Sequence, residues 1–190
     1  MDPGGWDLQK ALRLLGSSNG ALIEWFHSPI VYIDRDDFRQ RMQVLSSEVV
    51  QLDRLRHHYL GMAKQVSVNK LQEPEPSAKS YLYALRALLA AKWIETTQTI
   101  PPVRFTEMLT LIHGALREEI VELLQAKASL GEKDTAGKLP EISQFVTSSL
   151  NSTRDWTSNK VPGMPSIETS LNEEFLNHFT SERKNETSND

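Results

Sequence analysis

The chain has 190 residues, of which 39% are hydrophobic, with no cysteine and a formal net charge of −4. That length allows one sizeable core, the acidic balance argues against a general nucleic-acid binder, and the lack of cysteine removes disulfides, thiolate metal sites and a cysteine nucleophile together. No apolar run is long enough to predict a membrane span, and MDPGGWD has no charged-then-apolar signal region, so a cytoplasmic protein is expected and the sequons at Asn151 and Asn185 carry no weight.

Asp7 is placed to cap a first helix with an amphipathic face of Leu8, Ala11, Leu12 and Leu15, stopped by Gly16. Ala21 to His27 forms a second, short helix. It ends at Ser28-Pro29, because the residue before a proline avoids helical backbone. Ile30 to Ile33 reads as extended. Asp34 or Asp36 is expected to cap the next helix, through Phe38, Met42 and Leu45, and after a break between Ser46 and Gln51 a longer one carries Leu55, Tyr59, Met62 and Val66 on one stripe.

Gln72 to Ala78, QEPEPSA, is a linker by composition. Lys79 to Glu95 follows as the longest helical pattern, with Leu82, Leu85, Leu89 and Trp93 on a buried stripe. Arg86 falls inside that stripe, near Lys79 and Tyr83. An arginine so placed has to meet a carboxylate, snorkel to water or receive an anionic ligand. TIPPV closes the helix, Thr106 is expected to cap a short one through Met108 and Ile112, and Leu116 to Leu124 lies on the next, with Arg117, Glu118, Glu119 and Glu122 on its solvated face. Ser129 to Lys138 is expected to be a loop, and Leu139 to Leu150 a last core helix through Ile142, Phe145 and Val146. Trp6, Trp25 and Trp93 are expected in the core, and Lys64 and Lys92 in solvent.

These elements predict a nearly all-α bundle of about six to eight helices with one short extended segment. Residues 1–150 form the ordered region. Residues 151–190 are too polar and proline-punctuated to bury a core, which predicts a disordered tail, with one candidate docking helix at residues 167–179.

Self-contained catalytic motifs are missing: there is no glycine-rich phosphate loop, no H-E-x-x-H and no G-x-S-x-G, and the five histidines do not pair into a metal site. Five blocks nevertheless stand in a recognisable order: GWDLQKALRLL, LIEWFHSPIVY, HYLGMAK, KSYLYALRALLAAKWI and IPPVRF. The arrangement resembles the predicted nucleotidyltransferases of the DNA polymerase β superfamily, the YcgL type, in register from Asp2 to Leu150. The resemblance implies a small α/β catalytic domain with a G-S-x-A-x-G loop and a D-x-D pair ahead of a helical region. Carboxylates of that domain hold Mg²⁺ for transfer of a nucleoside monophosphate from a nucleoside triphosphate to an acceptor that the resemblance leaves unspecified.

This chain carries no G-S-x-A-x-G loop and no D-x-D pair ahead of its first helical block. Asp2 matches the family's last catalytic carboxylate and would ligate metal only if the missing domain were supplied. The expectation is therefore a truncated member that keeps the helical, nucleotide-binding part, with Lys79, Tyr83 and Arg86 toward substrate phosphate, and that neither binds Mg²⁺ nor catalyses alone. The alternative is a non-catalytic helical interaction module, which meets a protein partner or a second copy of itself across an exposed apolar interface.

Overall fold

The first helix forms where Asp7 supplies the expected cap: its Oδ1 accepts from the Lys10 backbone N–H at 2.8 Å. A computed structural model describes residues 6–34, 37–129, 136–137, 139–152, 169 and 171–176. It divides into two compact units, Met1–Gln51 with Asn159–Asp190, and Leu52–Ser158. No strand occurs among the described residues, so the all-α expectation holds.

In the first unit, α1 (Leu8–Gly16), α2 (Gly20–His27) and α3 (Phe38–Val49) bury Leu15, Ile23, Met42 and Val49 against one another. Asn19 caps α2 by accepting from the Leu22 N–H, and Ser28 ends it ahead of Pro29. The freed carbonyls at that C-terminus are taken up by α3. Arg39 Nε and Gln43 Nε2 both donate to Phe26 O, at 3.0 and 2.8 Å. Of the two proposed caps of α3, Asp34 makes the capping bond: its Oδ1 accepts from the N–H of Arg39, the second residue of the helix, at 3.1 Å, while Asp37, in left-handed backbone at φ 54°, occupies the boundary position without a side-chain bond, and Asp36 lies outside the described residues.

The aromatic expectations fail in part here. Trp25 is 54% exposed and stacks on Trp6 at 4.4 Å, while Leu22 and Ile23 of the same helix are buried. Residues 30–33 lie outside the helices, as expected of an extended segment, but pair with no strand and are exposed throughout. Of the candidate docking helix at 167–179, residues 169 and 171–176 are helical and the others lie outside the described residues. Glu174 accepts from Arg41 Nε on α3 at 3.0 Å.

In the second unit, α4 (Leu52–Asn69) packs along α5 (Ala78–Thr97). Ser77 caps α5, accepting from the Ser80 N–H, where composition suggested only a linker. The helix is buried on most of its circumference: Ala84, Ala87 and Ala91 let neighbouring helices approach closely, and Leu85 and Leu89 lose all exposure, which stabilises by roughly 2 kcal/mol each. Gln98, at φ 57°, closes it in left-handed backbone.

The short α6 (Phe105–Met108) continues into a 3₁₀ turn at Leu109–Leu111. Thr106 sits inside α6; Arg104 is at the cap position, with no side-chain cap. In α7 (Gly114–Ser129), two residues assigned to the wet face work as staples. Arg117 Nη1 donates to Leu109 O at 2.6 Å, and Glu119 Oε2 accepts the Ile142 N–H at 2.7 Å, satisfying a first-turn donor of α8 (Pro140–Asn151). Residues 130–135 and 138 of the predicted loop lie outside the described residues.

Candidate functional site

Lys79, Tyr83 and Arg86 stand at i, i+4 and i+7 on α5, so one face of the helix presents all three. They line a single groove of about 530 Å³. Lys127 joins them from α7, and Leu82, Phe105 and Leu124 supply apolar lining. Three cations therefore share one concavity whose lining, among the described residues, contains no carboxylate, in a chain whose net charge is −4.

Arg86 is half-buried and its Nη1 donates to Val103 O at 2.7 Å. Of the partners anticipated for an arginine in an apolar stripe, none was a backbone carbonyl. Pro101 and Pro102 leave this stretch short of amide donors and hold it extended, which presents the Val103 carbonyl to the guanidinium. Tyr83 is 51% exposed, and the Lys79 ammonium lies 6.0 Å from its ring centroid, within cation–π range. The groove thus offers guanidinium, two ammonium groups and a phenol to an anion, with an apolar surface beside them.

Asp2 lies outside the described residues. Among the described residues no group of three histidines, aspartates or glutamates is placed to hold a metal ion. The described groove residues, three cations and a phenol, do not fit Mg²⁺, which needs convergent oxygen ligands.

Two residues that matter were passed over in the sequence. Lys127 ends the stripe of Ile120 and Leu124 at helical spacing, a signal that could have placed it on the groove side. Arg56 is the deeply buried arginine of the second unit. Its side chain is 4% exposed and its Nε lies 2.6 Å from Glu95 Oε1. Leu55 and Tyr59 of the stripe expected on α4 are buried, but Met62 is exposed, and Arg56 and Ala63 complete the inward face instead.

Known proteins with this sequence pattern define the class: the helical chain falls within the DNA polymerase β-like nucleotidyltransferase superfamily. More narrowly, it belongs to the RNA repair pathway DNA polymerase beta family, RlaP, whose family model matches residues 1–178. It is 34% identical over 152 residues to the protein "Uncharacterized protein YcgL" of Bacillus subtilis (strain 168), a match covering 79% of this chain and 58% of that relative. The chain thus spans little more than half the length of that relative. No solved structure matches.

Proposed function

We propose that this chain provides the helical substrate-binding part of a nucleotidyltransferase, holding the triphosphate of a nucleotide, or acidic groups of the acceptor, over the α5–α7 groove. The observation that carries this reading is the convergence of Lys79, Arg86 and Lys127 with Tyr83 on one groove. Phosphate oxygens would be met by the guanidinium and ammonium groups, and the apolar lining would carry sugar or base. The chain contains no G-S-x-A-x-G loop, and its one D-x-D spacing, Asp34-Arg35-Asp36, follows the second helix instead of a phosphate loop, so the chain alone is proposed to bind without transferring. No described helix is long and apolar enough to cross a membrane, which agrees with the cytoplasmic location we propose.

Calorimetric titration with each ribonucleoside triphosphate tests the reading. Wild type should bind, and the triple variant Lys79→Met/Arg86→Met/Lys127→Met should lose at least tenfold in affinity. A wild-type chain that ignores every triphosphate, or a triple variant that binds as well, would overturn it.

One observation favours a second reading, the protein-interaction module. Ile30, Val31, Tyr32 and Ile33 are all exposed, Tyr32 by 90%, and a run of four large apolar side chains left bare is unusual. Concentration-dependent self-association that disappears in Tyr32→Ser would support it; a monomer at all concentrations would count against the self-pairing form.

A further inference from the structure

A second cavity in the Leu52–Ser158 unit, of about 370 Å³, lies where α4, α5 and α8 meet. Leu60, Leu88 and Phe145 give it an apolar side. Its polar side contains the Arg56–Glu95 pair, Lys92 and the hydroxyls of Ser148, Ser149 and Ser152. The residues of the triphosphate groove contribute nothing to it.

Buried ion pairs are poor stabilisers, because desolvating two charges costs about as much as their attraction returns. The Arg56 side chain is 4% exposed against 37% for Glu95, so the pair runs from the core to the cavity edge and polarises one wall. Lys92 stands one turn before Glu95 on α5, is exposed, and forms no ion pair among the described residues. With Arg56 and Glu95 offsetting each other, Lys92 leaves the cavity lining, among the described residues, one positive charge in excess. The serines come from the last turn of α8 and the residue after it, where helix carbonyls set a weak negative field. That field opposes a polyanion; the Ser148 hydroxyl already donates to Phe145 O at 3.1 Å, so Ser149 and Ser152 are the hydroxyls that can donate to a single charge beside Lys92.

We infer that this cavity is a binding site for a small organic monocarboxylate with an apolar body: the carboxylate is held by Lys92 and the hydroxyls of Ser149 and Ser152, and the body lies against Leu60, Leu88 and Phe145. The volume falls in the range of small-ligand pockets.

Benzoate, phenyl phosphate and acetate, titrated into the full chain by calorimetry, test the site. Benzoate should bind at least tenfold more tightly than acetate, which lacks the ring, and more tightly than phenyl phosphate, which brings extra charge. Lys92→Met, a change at an exposed position, and Ser149→Ala should each weaken benzoate, Lys92→Met by tenfold or more. Arg86→Met should leave it unchanged. The inference is overturned if benzoate does not bind, if it binds no better than acetate, if phenyl phosphate is preferred, if either cavity variant leaves benzoate affinity intact, or if Arg86→Met removes it.

Discussion

Arg86 on α5 reaches the carbonyl of Val103, 17 residues on, with an N–H···O distance of 2.7 Å, and so ties the groove-lining helix to the segment that leads into Phe105. One side chain therefore fixes the groove wall and supplies its charge.

Replacing Arg86 by Met should cost about 1.5–3 kcal/mol, the range for a hydrogen bond made by a charged group, and less than the loss expected when a buried charge is orphaned. Chemical denaturation of the variant, paired with triphosphate titration, checks both roles. A loss of binding with a small loss of stability is expected; unchanged binding would remove Arg86 from the site.

The Arg56–Glu95 pair should respond asymmetrically. Glu95→Ala leaves a guanidinium in the core without its carboxylate and should cost about 3 kcal/mol, whereas Arg56→Met leaves Glu95 at a position where water reaches it and should cost less. Equal losses in urea denaturation would mean that the burial of Arg56 does not set the energetics.

His27 gives the first unit a pH dependence. Burial, and then the positive charge of Arg39, hold its pKa below the ordinary histidine range, and its Nε2 is buried without a hydrogen-bond partner among the described residues. The folded chain then binds fewer protons than the unfolded chain below about pH 6.5, so stability is complete above that pH, falls as pH drops toward the lowered native pKa, and is flat with respect to this group beneath it. Melting temperatures measured from neutral to mildly acidic pH should show that fall in wild type and a smaller one in His27→Phe. An identical slope in the variant would place the titration elsewhere.

Gln98 closes α5 at φ 57° and ψ 31°, backbone that glycine adopts without a steric penalty. Gln98→Gly should stabilise by about 0.5–1 kcal/mol, the small gain remaining after the weak Gln98 Nε2 bond to Glu95 O is lost. A lower melting temperature would show that the side chain contributes more than the strain costs.

What the sequence determined by itself was local. The Asp7 cap, the stop of α2 at Ser28-Pro29, the span of α5 and its end before Pro101 each depend on a few adjacent residues, so composition and spacing were enough. The shared face of Lys79, Tyr83 and Arg86 followed from helical geometry alone. Other features depended on neighbours brought from a distance. Thr106 is a competent cap by residue type, but capping needs a particular backbone geometry at the boundary, and the chain placed Arg104 there. Trp25 was expected in the core because it is large and apolar, yet α2 buries Leu22 and Ile23 and leaves it outside. The choice between arginines was also tertiary. Arg86 lies in an apolar stripe and Arg56 in a less marked one, but α5 is enclosed on so many sides that its periodicity names no single inward direction. Packing of α4 along α5 sends Arg56 into the core toward Glu95, 39 residues away, and leaves Arg86 at the groove edge. Periodicity identifies the faces of a helix; only the helices packed around it decide which face is covered.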